Sequence, residues 1–155
     1  MPSVTPDPLR VVRRLLQALL AIGLAGTALE LVLLEHYEEA TQILPLGIIA
    51  LALVVLVVYA AFPAPGVVRF FRMVMVIQLI LGGAGVVLHY RGSLEFQRDM
   101  DPTASSWQLF TKSIRAKAPP ALAPGVLAQL ALLGLVSTYR DPASAGAAPR
   151  KEATP

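Results

Sequence analysis

The sequence predicts an all-α integral membrane protein: a four-helix bundle with a short interfacial amphipathic helix between the third and fourth spans. Three observations predict it. Four apolar blocks punctuate the chain, basic residues gather at the ends of those blocks, and one segment before the last block has a two-sided helical pattern. Composition agrees, with 55 % of the 155 residues hydrophobic and 15 % charged, against roughly 45–50 % and 25 % in soluble domains. This length has room for one domain. The absence of cysteine excludes disulfides, thiolate metal sites and a cysteine nucleophile. A net charge of +3 is explained by membrane topology and not by nucleic acid, because most of the basic residues flank apolar blocks.

The first block, 15–34, holds 20 residues, enough for roughly 30 Å of hydrocarbon. Its apolar run continues through Leu31-Val32-Leu33-Leu34, past the small residues Gly26-Thr27-Ala28, so it reads as a span and not as a cleaved leader. The second, 43–62, carries no charge. The third, 67–88, has Arg69 and Arg72 near its start, long enough to snorkel to an interface. The fourth, 121–138, is opened by Pro119, Pro120 and Pro124, residues suited to a first helical turn. Residues 1–14 and 141–155 read as tails, the second disordered. Residues 89–120 read as an outer loop. Within it "SSWQLFTKSIRAK" spaces Trp107, Phe110 and Ile114 as one helical face, with Lys112, Arg115 and Lys117 elsewhere on the wheel and Ser105 or Ser106 as N-cap. That face suits the membrane surface, or else the ends of the bundle.

Orientation follows from the lysines and arginines. With both termini in the cytoplasm, eight basic residues lie inside and five outside, those five all in the long 89–120 loop. Long loops weigh less in the positive-inside rule. The expected localisation is a bacterial inner membrane, multi-pass, N-in and C-in.

Several polar groups need a reason. Glu30 is the one acid inside a span. It shares a helical face with Gly23, Gly26 and Thr27, which predicts that it points into the bundle. There it serves either as a protonated hydrogen-bonding group or as a site for a proton or cation. Gln78 and Gln129 fall near mid-membrane and read as interhelical amide glue. Glu35, Glu38 and Glu39 crowd one turn with no lysine nearby. Either the basic residues of the other outer loop neutralise them, or they serve a cation. His36 and His89 end the first and third spans, at one membrane face, with Glu35 and Glu39 to complete an N/O set for a divalent transition metal. Two histidines on separate helices also suit axial ligation of haem. No H-x-x-x-H or H-E-x-x-H spacing accompanies them.

The stretch His89–Pro142 resembles the C-terminal half of a group of small four-helix bacterial membrane proteins with a "G-x-x-E-F-E…P…G-W-x-L-F…A-P-A-L-A-P-G…L-G-L" pattern. Gly92, Glu95, Phe96, Trp107, Leu109, Phe110 and Ala121-Leu122-Ala123-Pro124-Gly125 match it, whereas Gln97 and Ser106 depart from it. The resemblance implies bacterial origin and architecture and carries no catalytic residue over.

No phosphate-binding glycine loop, nucleophile elbow or metalloprotease helix is present in the sequence, which argues against an enzyme. The expected function is therefore non-catalytic, without a cofactor. The chain would act through contacts with the bilayer and with other membrane subunits or itself, as an accessory subunit or small scaffold. The alternative is binding or transport of a metal or cation at the outer His/Glu cluster.

Overall fold

The computed structural model describes residues 7–116 and 122–144, whose regular secondary structure is all helical, without strands. The elements in order are α1 (Pro8–Leu33), α2 (Ala40–Ala61), α3 (Pro65–Met100), α4 (Ser106–Ile114), α5 (Gly125–Ser137) and a 3-10 turn, Pro142–Ser144. α1 starts where Pro8 occupies the first turn and the Asp7 carboxylate accepts from the Leu9 N–H at 3.1 Å. Residues 8–14, read from sequence as tail, are thus helical. α4 is capped by Ser105, whose N–H donates to Gln108 Oε1 at 2.8 Å while Ser105 Oγ accepts from the Gln108 N–H at 3.4 Å.

α1, α2, α3 and α5 close a ring in which each helix touches two neighbours. The buried stripes repeat at spacings of three and four: Leu20 and Leu24 on α1; Ile49, Ala52, Leu56 and Tyr59 on α2; Phe71, Met75, Gln78 and Gly82 on α3; Leu127, Ala131 and Gly134 on α5. That spacing keeps one seam of each helix facing its neighbours. Outside the seam the surface is apolar: Ile22, Leu29, Val54, Val57, Ile80, Leu88, Leu132 and Val136 are all exposed. α1, α2 and α3 are long and apolar enough to cross a membrane.

Two features differ from the sequence expectation. The fourth block begins its helix only at Gly125, so α5 has 13 residues and rises about 20 Å, short of a hydrocarbon core of roughly 30 Å. Residues 122–124 form a turn that precedes it, and residue 121 lies outside the described residues. In the other direction, α3 does not stop at the end of its apolar block. It has 36 residues, about 54 Å, so that residues 89–100, expected in a loop, extend the helix by about 18 Å. α4 folds back on this extension with Leu109 and Ser113 buried. Tyr90 meets Phe110 edge-on at 6.2 Å. Lys112 pairs with Asp101 at 2.9 Å across the elbow. Lys112, and after it Thr103, hold the Asp101 carboxyl below its ordinary range, so this contact is made above the ordinary carboxylate pKa and is lost as pH falls through the lowered one.

α5 lies so close to α3 because both are stripped of side chain where they meet. A Cβ on Gly82 would stand 2.6 Å from the Ala128 amide nitrogen, and one on Gly85 2.8 Å from Pro124 Cβ. A Cβ on Gly134 would run into the Met75 sulfur. Gly83, one residue along, meets nothing within 4 Å. We therefore expect Gly82→Ala to destabilise the protein in detergent by about 1–3 kcal/mol through overpacking. Gly83→Ala is expected to be neutral or to gain up to about 1 kcal/mol of helix propensity. Thermal melts followed by circular dichroism measure both, and equal effects would contradict the close seam.

Candidate functional site

Polar side chains collect in two layers, one at each end of the ring. At the end where α1 begins, the chain leaving α5 turns inward and buries an acid. Asp141 is 7 % exposed, and its carboxylate accepts from the Tyr59 hydroxyl of α2 and lies 3.4 Å from Arg13 Nε of α1. Arg13 also donates to the carbonyls of Tyr139 and Arg140, at 3.4 and 3.2 Å. Arg72 of α3 donates through Nε to Thr138 Oγ1 and through Nη2 to the Thr138 carbonyl, both at 2.9 Å. Thr138 is the C-cap of α5, so Arg72 caps that helix as well as carrying charge, whereas Tyr139 and Arg140 lie beyond it and Arg13 fixes the turn they form. Arg140 takes the turn at φ 47. Every helix of the ring contributes to this layer.

The opposite layer holds the histidines. α1 ends in a tight reversal in which Glu35 adopts φ 54 and the His36 N–H donates to the Leu31 carbonyl at 2.9 Å. The reversal brings His36 to His89 on α3, with ring centroids 6.4 Å apart and planes at 46°. His89 Nδ1 is buried without a hydrogen-bond partner among the described residues. Of the expected metal set, the two histidines therefore meet. Glu35 and Glu39 do not complete it: among the described residues no three His, Cys, Asp or Glu side chains come together as a metal would need.

Glu35, Glu38 and Glu39 are all exposed, and among the described residues no ion pair reaches them, the two pairs being Arg13–Asp141 and Lys112–Asp101. Two of the three stand just before α2. The Gln42 side chain accepts there from the Glu38 and Glu39 N–H groups at 3.1 and 3.3 Å, and acids at a helix N-terminus complement its dipole. That accounts for Glu38 and Glu39 without a ligand.

The mid-helix polar residues divide. Gln78 is fully buried and its Nε2 donates to the Leu127 carbonyl of α5 at 3.1 Å, which is the interhelical contact expected of it. Gln129 is exposed, because it stands two residues from Leu127 and so on the far side of a helix whose buried stripe is Leu127, Ala131 and Gly134. Glu30 is also exposed, a correction to its expected inward direction. α1 buries Leu20 and Leu24, and of the supposed inward face Gly23 does pack on Leu130 of α5, whereas a Cβ on Gly26 meets nothing within 4 Å. On α4, Trp107, Phe110 and Ile114 are 70 %, 39 % and 39 % exposed, with Trp107 stacked on Phe110 at 5.5 Å. Among the described residues they form an exposed apolar face, with Phe110 also edge-on to Tyr90.

Comparison with protein-family models, with curated proteins and with solved structures returned no match. The chemistry of the two layers therefore rests on their own residues. Sequence reasoning missed the layer of Arg13, Tyr59, Arg72, Thr138 and Asp141, and Asp141–Ser144 were expected to be part of a disordered tail. "TYRDP" at 138–142 was the available signal: an acid directly after the last apolar block, with an excess of arginine at two other helix starts.

Tyr59→Phe removes one donor from a buried carboxylate and is expected to cost about 1–3 kcal/mol, read as a lower melting temperature in detergent. Tyr37→Phe, at an exposed ring, serves as the control and should melt like the parent. Equal melting of the two variants would contradict a buried role for the Tyr59 hydroxyl.

Proposed function

We propose that this chain is a non-catalytic integral membrane protein of a bacterial inner membrane, with both termini cytoplasmic, that acts as an accessory subunit or small scaffold. In this reading α1, α2 and α3 cross the bilayer, and α5 with the turn before it makes the fourth crossing. The local hydrocarbon is thinned or the helix ends snorkel to meet its length. Arg13 and Arg72 then lie at the cytoplasmic face, and the histidine layer lies at the outer face.

The observation that carries the reading is the helical extension of α3 with α4 clipped onto it. A protein needing only to sit in a bilayer has no use for residues 89–100 as helix beyond the apolar block. The extension holds α4 at a set height and angle through buried Leu109 and the Lys112–Asp101 pair. Trp107, Phe110 and Ile114 remain free to meet the interface or another subunit. Trp and Tyr favour the headgroup level, and exposed aromatic faces are enriched in protein contacts.

Trp107 is the single tryptophan, so its fluorescence reports on α4 alone. In vesicles its emission is expected to shift to the blue and to be quenched by brominated lipid. From native membranes in mild detergent, the parent is expected to retain a stoichiometric partner, or a second copy of itself, that Trp107→Ala loses. A water-exposed Trp107 together with an unaltered set of copurifying proteins would contradict the proposal.

A further inference from the structure

We propose that His36 and His89 form a two-imidazole site for a late first-row divalent metal ion, Cu²⁺ or Zn²⁺, with water completing the coordination shell. The chain brings the two rings together from separate elements. Glu35, at φ 54, is the left-handed residue of the cap that ends α1, closed by Glu35 N–H to the Val32 carbonyl at 3.0 Å and His36 N–H to the Leu31 carbonyl at 2.9 Å. His36, the next residue, lies with its ring 6.4 Å from that of His89. Two nitrogens each about 2.0–2.1 Å from one ion leave their ring centroids roughly 5–6.5 Å apart, so small ring rotations suffice to load it.

His89 supplies the second observation. Its Nδ1 is buried and has no hydrogen-bond partner among the described residues. A neutral imidazole carries one N–H and one lone pair, and a buried nitrogen left without a partner is poorly solvated. A metal ion satisfies that lone pair if it is the free one. His36 is only half-buried, so water reaches the opposite side of an ion held there.

The donor set decides the metal class. Two neutral imidazoles without thiolate suit copper, zinc or nickel and not calcium or magnesium, and divalent affinity rises to a maximum at copper. The acids of the α1–α2 connection keep a separate role. Glu35, Glu38 and Glu39 are exposed and do not join the histidines as ligands, but their charge raises the local cation concentration. The ligands are the two rings alone.

The test uses the tag-free full chain in mild detergent, titrated with Cu²⁺ and, in competition, with Zn²⁺. One equivalent of Cu²⁺ is expected to bind with nitrogen hyperfine splitting from two imidazoles; Zn²⁺ is expected to compete only in large excess and, added alone, to raise the melting temperature. His36→Gln and His89→Gln should each lose at least about tenfold in affinity, a loss of about 1.4 kcal/mol, together with one nitrogen from the spectrum. Glu35→Gln and Glu39→Gln should keep both nitrogens. Because the chain has 2 histidines, diethylpyrocarbonate provides an arm that needs no variant: bound Cu²⁺ should protect both rings from acylation. Unchanged binding in either histidine variant, or equal acylation with and without Cu²⁺, would overturn the assignment. Loss of a ligand signal in either glutamate variant would overturn the two-imidazole shell in favour of a carboxylate-containing one.

Discussion

A buried carboxylate beside a guanidinium, in a setting with little water, is costly unless every lone pair finds a partner. Both Asp141 oxygens find partners: Oδ2 accepts from Tyr59 and lies 3.4 Å from Arg13 Nε, and Oδ1 accepts from the Ala143 N–H at 2.9 Å. The backbone turn that presents the acid is held to α3 by Arg72 on Thr138. α1, α2, α3 and the exit from α5 are therefore tied by four residues following the last helix. Two guanidiniums serve this layer and one carboxylate answers them, so the balance rests on backbone carbonyls of the α5 C-cap, Thr138, and of the turn after it, Tyr139 and Arg140. The layer depends on these carbonyls as much as on ion pairing.

What happens along the rest of the bundle follows from that anchor. α5 is short and has few large side chains in its seam, so hydrophobic burial alone holds it weakly. Close approach to Gly82 and Gly85 recovers van der Waals contact, and the Gln78–Leu127 hydrogen bond holds the register midway. With one end tied and the seam tight, the opposite end is free to diverge. There α3 runs on as an extended helix, α4 folds against it, and the α1 reversal delivers His36 to His89. The anchored end carries the buried polar contacts, and the opposite end carries the exposed face of α4 and the histidine pair.

How much of this was legible varies by residue, for physical reasons. The blocks that become α1, α2 and α3 were plain in the sequence, since an apolar run of about 18 residues or more matches the thickness of a bilayer's hydrocarbon. Of the two serines read as N-cap of the short helix, the structure uses Ser105; its partner Gln108 was not read. His36 and His89 were expected at one face because a span reverses direction, and the rings do meet. Direction around a helix was less legible. Residues 15–34 are apolar on nearly every side, so the face shared by Glu30, Gly23 and Gly26 was one choice among several; Gly23 does pack on Leu130 beside the buried Leu20 and Leu24, but Gly26 and Glu30 turn away. The same weakness misdirected Gln129. Residues 89–100 are polar enough to resemble a loop, and only contact with α4 shows why they stay helical. Asp141 was illegible for a deeper reason: its burial depends on Arg13 and Tyr59, 128 and 82 positions away, and no local pattern announces such a pairing.

If the anchored end holds the bundle together, Asp141 and Arg13 stabilise the protein as a pair, and a double-mutant cycle in detergent tests that most directly. Asp141→Asn and Arg13→Gln each leave the other member buried with only neutral partners and no opposite charge, so each is expected to lower stability by about 3–5 kcal/mol. The double variant should fall well short of the sum, with a coupling of about 1–3 kcal/mol. Strictly additive losses, or single variants that melt like the parent, would contradict an anchored end and return Arg13 to the role of a simple topology marker.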